Sequence, residues 1–91
     1  AAGVAVLAVG HDAVLTGAIL TGANLKKTRL SRADFSYADL TNARFYSAIL
    51  KKANFTEAVM KGADTTKALL AQATWVDGRT CGKTSIGVCA Y

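Results

Sequence analysis

A strict five-residue period constrains the fold of this chain more than any other feature. Between residues 13 and 77 a large apolar residue recurs at every fifth position, and Thr65 is the one interruption. The series is Leu15, Leu20, Leu25, Leu30, Phe35, Leu40, Phe45, Leu50, Phe55, Met60, Leu70 and Trp75. Two residues before each position stands an alanine, with Thr28 as the one substitute. Thirteen pentads therefore follow one another without insertion.

A period of five fits neither regular secondary structure. An α-helix would spread these residues around its circumference, and a strand would place them alternately on both faces. The period instead predicts a chain that turns a corner once per pentad and points one small and one large side chain inward. Four corners close one coil, and coils stack at about 4.8 Å, the ordinary spacing between strands. The sequence therefore predicts a solenoid.

The pentads also carry a recognisable motif. The pattern A-(D/N)-(L/F)-x-x occurs at Ala23-Asn24-Leu25, Ala33-Asp34-Phe35, Ala38-Asp39-Leu40 and Ala53-Asn54-Phe55. This pattern resembles the pentapeptide repeat family. The resemblance implies an all-β fold, a right-handed quadrilateral β-helix of about three coils with a C-terminal cap. Residues 1–12 are then an N-terminal cap or a degenerate coil, of which we favour the cap; 13–77 form the β-helix, and 78–91 form the C-terminal cap.

Residues twenty apart stack in such a coil, so each pentad can be assigned to one of four sides by its large inward residue. The first side holds the pentads of Leu15, Phe35, Phe55 and Trp75, the second those of Leu20, Leu40 and Met60, the third those of Leu25, Phe45 and Thr65, and the fourth those of Leu30, Leu50 and Leu70. The third and fourth sides carry eight cations and one acid, a net of +7, whereas the first two carry one cation and four acids, a net of −3. The eight cations are Lys26, Lys27, Arg29, Arg32, Arg44, Lys51, Lys52 and Lys67. We call them the basic ridge. They predict binding of an acidic macromolecule, which is a protein, an anionic polymer or a nucleic acid. The alternative is that they serve solubility alone. Arg32 is expected to stack on Lys52, a repulsive pair.

The two cysteines, Cys81 and Cys89, lie beyond the repeat. Their C-x7-C spacing, without a second pair, is poor for zinc and favours a disulfide. A disulfide predicts an oxidising compartment, so an exported, periplasmic or secreted protein, or one of the thylakoid lumen. Free thiols would instead indicate the cytoplasm. A chain that starts at Ala1 fits a processed precursor.

Residues that converge for catalysis are missing from the sequence. His11 is the only histidine, and it lies outside the repeat. Asp34 and Asp39 are interpreted as turn and ladder residues. We therefore expect no enzyme, no cofactor and no metal site. The longest apolar run, residues 4–9, is far shorter than the roughly 20 residues of a membrane span.

Three functions remain. The first is a non-catalytic scaffold or interaction module that presents its basic sides to an acidic partner. The second is direct nucleic-acid binding, for which Tyr46 offers a stacking surface. The third is implied by the family resemblance: mimicry of DNA toward a type II topoisomerase, which a net charge of +5 disfavours. Solenoid ends also predict end-to-end pairing of copies.

Overall fold

The computed structural model describes residues 11–91, so the predicted cap or degenerate coil of residues 1–12 lies almost wholly outside it. Each pentad folds as two turn residues followed by three extended residues. The middle extended residue, which we call the ladder position, forms a β-bridge. This unit repeats in register with the large apolar residues from residue 11 onward, so the period seen in the sequence is the period of the backbone.

Parallel bridges join ladder positions that are twenty residues apart. The pairs are Val14–Asp34, Ile19–Asp39, Asn24–Arg44, Arg29–Ile49, Asp34–Asn54, Asp39–Val59, Arg44–Asp64, Ile49–Leu69 and Asn54–Thr74. Backbone hydrogen bonds run on both sides of each bridge; for example, the amide of Leu15 donates to Asp34 O at 2.8 Å and that of Asp34 to Ala13 O at 2.8 Å. Because twenty residues contain four pentads, each coil has four sides and four corners.

The corners are tight turns. The amide of Ala18 donates to Leu15 O at 3.0 Å, and Gly17 between them has φ of +69°. This hydrogen bond and the positive φ at the third residue are those of a type II turn. The non-glycine residues at the same position are Asp12, Lys27, Arg32, Tyr37, Asn42, Ser47, Lys52, Glu57, Lys67 and Gln72, all with φ between 57° and 61°. Side chains tolerate this conformation at a cost of roughly 1 kcal/mol each, which the inter-coil hydrogen bonds at the corners offset.

Alanines and large apolar residues fill the interior together, as the sequence predicts. Phe35, Phe45 and Phe55 are fully buried. The rings of Phe35 and Phe55, one coil apart, stack at 5.2 Å with planes 3° apart. Phe45 enters from the opposite side and meets both rings edge-on, at 5.7 and 6.0 Å. Edge-to-face and stacked rings are both favourable, so the three phenylalanines form one aromatic core.

The two threonines that interrupt the inward series each have a hydrogen-bond partner. Thr28, fully buried in an alanine position, donates its hydroxyl to Leu25 O at 2.7 Å. Thr65, in a large-residue position, donates to Gly87 O of the C-terminal segment at 2.7 Å. Hydroxyls buried without a partner are costly, and both are satisfied here.

The acidic ladder residues brace the corner that follows them. Asp34 Oδ1 accepts from the Ser36 amide at 2.9 Å and from its hydroxyl at 2.6 Å, and Asp39 holds Thr41 in the same way. These bonds, led by the hydroxyl, lower the pKa of both aspartates. The interpretation of Asp34 and Asp39 as turn and ladder residues is confirmed. Asn54 does the same for Thr56 without a charge.

The C-terminal segment turns back under the last pentads. Thr80 pairs with Thr74, and Ile86 with Leu69, both antiparallel. Between these bridges Ser85 is buried, its carbonyl accepts from the Leu70 amide at 2.9 Å, and its hydroxyl accepts from the Ala90 amide at 2.9 Å. The segment therefore crosses beneath the coil from the first side to the fourth.

Candidate acidic-partner surface

The repeat geometry sorts the basic ridge into corner and ladder residues. Arg29 and Arg44 occupy ladder positions, in the middle of the fourth and third sides. The other six lie at corners. In the four-residue type II turn, Lys26 and Lys51 occupy the second position, and Lys27, Arg32, Lys52 and Lys67 occupy the third. All are exposed except Lys26, which is partly buried. The ridge is thus two cationic corners on either side of the fourth side, with Arg29 between them and Arg44 on the adjoining side.

Arg32 is engaged by a carboxylate one coil above it. Its Nε lies 2.8 Å from Asp12 Oδ1, and its second terminal nitrogen donates to Oδ2 at 3.3 Å. This hydrogen bond lowers the pKa of Asp12 and raises that of Arg32. Sequence reasoning considered only Lys52 as the neighbour of Arg32 and missed this pair. The signal was present, because Asp12 and Arg32 are twenty residues apart.

Two further ridge cations contact a neighbour on an adjacent coil: Arg44 lies beside an acidic residue and Lys67 beside an aromatic ring. Arg44 forms a parallel β-bridge with Asp64. The pKa of the Asp64 carboxyl is lowered first by its hydrogen bonds to Thr66 and then by the charge of Arg44. Lys67 places its ammonium 5.7 Å from the centre of the Tyr46 ring. The Asp64 carboxylate therefore offsets part of the positive charge of the third side.

Below Arg32 the fourth side retains its charge. The pentads of Leu30, Leu50 and Leu70 contain no acidic residue, and Asp12, at the corner after this side, is already paired with Arg32. Among residues 11–91 the ion pairs are Arg32–Asp12 and Arg79–Asp77, so Arg29, Lys51 and Lys52 have no carboxylate within ion-pairing distance. The ladder column on this side continues from Arg29 to Ile49, Leu69 and Ile86. Ile49 and Leu69 are partly exposed and Ile86 is 60% exposed. We call Ile49, Leu69 and Ile86 the apolar column. It lies between two cationic corners, and a count of charges alone does not reveal it.

The C-terminal segment is closed by a disulfide between Cys81 and Cys89, with an S–S distance of 2.04 Å. Cys81 is buried, and its amide donates to Ala73 O at 2.7 Å. Tyr91 adds a second tie: its hydroxyl donates to the Asp77 carboxylate at 3.2 Å, and the Arg79 guanidinium lies 3.7 Å from its ring centre. The disulfide expected from the C-x7-C spacing is thus formed.

Trp75, the last large inward residue, packs on the Phe55 ring at 5.2 Å and stays partly buried. His11 is exposed. Within residues 11–91 no group of side chains is placed to hold a metal ion. The same residues include no helix long and apolar enough to cross a bilayer.

Comparison with known proteins matches these repeats to a family. The pentapeptide repeats match residues 11–45 and 38–74, in eight copies. A pentapeptide repeat protein from the Arabidopsis thaliana thylakoid lumen is 27% identical, with a TM-score of 0.70 over 85% of this chain and 59% of its own. HetL, a pentapeptide repeat protein involved in heterocyst differentiation regulation in the cyanobacterium Nostoc, is 31% identical, with a TM-score of 0.53 over 79% of this chain and 42% of its own.

The chain spans less than two thirds of the length of either neighbour. No curated protein matches it. The neighbours and the repeats together imply the right-handed quadrilateral β-helix expected from the sequence. With matched segments that cover most of its length and a backbone that closes one coil every twenty residues, the chain belongs to the pentapeptide repeat family.

Proposed function

We propose that this protein is a non-catalytic scaffold that binds an acidic macromolecule through the basic ridge, with the fourth side at its centre. The observation that carries the proposal is the electrostatic contrast between sides. Arg29, Lys51 and Lys52 stand exposed on one side without an acidic neighbour, whereas the acids Asp34, Asp39, Glu57 and Asp77 belong to the first and second sides. Segregated charge of one sign attracts and orients a partner of the other.

Family membership supports the non-catalytic part of the proposal, because pentapeptide repeat proteins are generally structural or interaction proteins. The repeat also suits a scaffold physically. Each coil hydrogen-bonds to its neighbours, so outward side chains are held at a fixed spacing on a rigid support. A rigid surface loses little conformational entropy when a partner binds.

Two other functions are less well supported. Nucleic-acid binding by base stacking would use the Tyr46 ring, but the Lys67 ammonium lies over that ring and Tyr46 is partly buried. DNA mimicry toward a type II topoisomerase requires an acidic surface, and the net charge is +5. The experiment below, which includes duplex DNA and RNA, tests the first of them.

We place the protein in an oxidising compartment outside the cytoplasm. The Cys81–Cys89 disulfide supports this location, since disulfides persist in such compartments, and a neighbour of similar fold comes from the thylakoid lumen. We also propose about three coils in residues 13–77, closed at one end by a cap formed by residues 78–91. The antiparallel bridges of Thr80 and Ile86 support the cap. End-to-end pairing of two copies remains a prediction.

The test is binding at two salt concentrations to polyglutamate, heparin, duplex DNA, RNA and anionic vesicles. We expect retention on at least one acidic polymer that weakens as salt rises. Replacing both Lys51 and Lys52 by Glu should abolish it. Glu57 already occupies the same corner position as Lys52, so the double reversal is compatible with the fold.

The control is Lys61→Glu, at the same turn position as Lys51 but at the opposite corner of the coil. It changes net charge by the same amount per residue and should leave most binding intact. A loss per reversed charge in Lys61→Glu equal to that in the double reversal would show that total charge matters and the ridge does not. Absence of salt-sensitive binding to every polymer would refute the proposed function.

A further inference from the structure

We infer that the fourth side binds an acidic amphipathic α-helix, which lies along the solenoid axis over the apolar column. This inference rests on the proposed function and names the class of partner. The apolar column consists of Ile49, Leu69 and Ile86, which follow one another through β-bridges below Arg29. Exposed apolar ladder residues also occur on the first and second sides, but among the described residues only the fourth side has apolar residues at consecutive ladder positions.

The charges flank the column on both sides. Lys26, Lys27 and Lys67 lie at the corner before the fourth side, and Lys51 and Lys52 lie at the corner after it. The side between two corners is three extended residues, about 10 Å wide. An α-helix with its side chains is about 10 Å across. A helix on this side therefore places its apolar stripe on the column and its two flanks against the two cationic corners.

The vertical spacing favours a helix over an extended segment. Neighbouring ladder residues are about 4.8 Å apart, so Ile49 and Ile86 are separated by about 9.6 Å. Residues i and i+7 of a helix are about 10.5 Å apart, with an intermediate residue at i+3 or i+4 over Leu69. A strand repeats same-face side chains at about 6.7 Å and falls out of step within one residue.

The chemistry of the column argues against nucleic acid as the partner. A duplex would set charged phosphates and sugars against Ile49, Leu69 and Ile86, which gain nothing from polar groups. An acidic helix buries these side chains against leucine or alanine, while its glutamates meet the lysines at the corners. Apolar contact and opposite charge then act on the same partner.

The test uses two acetylated and amidated peptides of about 14 residues, or four helical turns. Both have the same composition of leucine, alanine and glutamate. In one, leucines recur at i, i+3, i+4 and i+7 with glutamates on both flanks; in the other, the order is scrambled so that no stripe forms. Binding is measured by fluorescence anisotropy. We expect the amphipathic peptide to bind the wild-type protein at least about tenfold more tightly.

Protein variants then locate the contact. Leu69→Thr combined with Ile86→Thr should remove the preference for the amphipathic peptide and leave salt-sensitive binding to polyglutamate. Threonine already occupies a ladder position at Thr74, so the change suits the backbone. The matched control is Val14→Thr with Val59→Thr, exposed ladder residues of the first and second sides. It should retain the full preference. Circular dichroism melting confirms that both variants fold.

The outcomes separate this inference from the proposed function. Equal binding of the two peptides by the wild-type protein would overturn the helix partner and leave the basic ridge in place. Failure of both peptides to bind would also overturn it, and polyglutamate binding would then decide the proposed function independently. Tighter binding of duplex DNA or of phosphatidylserine vesicles than of the amphipathic peptide would assign the fourth side to that ligand instead.

Discussion

Truncation of Phe45 tests the aromatic core directly. Phe45 is fully buried and meets Phe35 and Phe55 edge-on from the opposite side of the coil. Its backbone is fixed from both directions: the amide donates to Asp64 O at 2.7 Å, and the carbonyl accepts from the Ala48 amide at 2.9 Å. The walls of the cavity left by Phe45→Ala therefore cannot move inward, and the cost should lie at the upper end of the range for buried phenylalanines.

We expect a loss of about 4 to 5 kcal/mol of unfolding free energy from Phe45→Ala. For a chain of this size that corresponds to a fall in melting temperature of roughly 15 to 40 °C. Thermal melts followed by far-UV circular dichroism and urea titration measure both quantities. Total stabilities are typically about 5 to 15 kcal/mol, so the alanine variant will have little reserve.

Two further variants keep the Phe45 test decisive. Phe45→Leu should cost only about 1 to 2 kcal/mol, because Leu25 fills the equivalent position one coil above. Tyr37→Ala, at an exposed corner, should change stability by less than about 0.5 kcal/mol. A melting temperature of Phe45→Ala within about 4 °C of wild type would show that the inward register is wrong.

Three other measurements follow from the structure. Thr65→Val removes the hydroxyl that donates to Gly87 O and should lower the unfolding free energy by about 1 kcal/mol. Amide hydrogen exchange should become faster than in the wild type in residues 82–91, and more so than in the coils; unchanged exchange there would contradict the role of that bond. Unreduced protein should be lighter than its reduced form by two hydrogens, as one disulfide requires, and reduction should cost about 2.5 kcal/mol; two alkylatable thiols in native protein would contradict it. The aspartates of the ladder have pKa values below the ordinary 3.8, so their stabilisation is complete above that pH and is lost as pH falls through the lowered values. Replacing Asp34, Asp39 and Asp64 by Asn keeps the acceptor and should flatten most of this acid dependence in pH-dependent melts, whereas an unchanged acid limb would assign it to other groups.

The interior of this fold follows from the sequence because it depends on two positions in five. Alanine and a large apolar residue recur at fixed spacing, and the inter-coil hydrogen bonds require only that each pentad have the same length. Thr28 and Thr65 stand out in the sequence as exceptions to the pattern, but the hydrogen bonds that accommodate them could not be predicted from it. Thr65 bonds to Gly87, a residue in a segment without repeats, and no period in the sequence relates the two.

The position of the candidate site could be predicted from the sequence, but the contacts of its cations and its apolar column could not. The twenty-residue register places Arg29, Lys51 and Lys52 on one side from the sequence alone. Which partner each cation contacts depends on side-chain direction, which the register leaves open. Arg32 turns up to Asp12 rather than standing opposite Lys52, and Lys67 covers the Tyr46 ring. The apolar column required the antiparallel bridge of Ile86, which lies beyond the repeat.

In a four-cornered coil, some changes in chain length leave the core intact and alter only the surface. Insertion or deletion of one pentad keeps every alanine and every large residue pointing inward, so the interior remains filled. The same event rotates all downstream outward side chains by a quarter turn about the axis, and between Arg29 and Lys51 it moves Lys51 and Lys52 off the side that Arg29 occupies. Only a change of twenty residues restores the alignment. For proteins built this way, the length of an insertion modulo a full coil, and not its size, determines whether a binding surface survives.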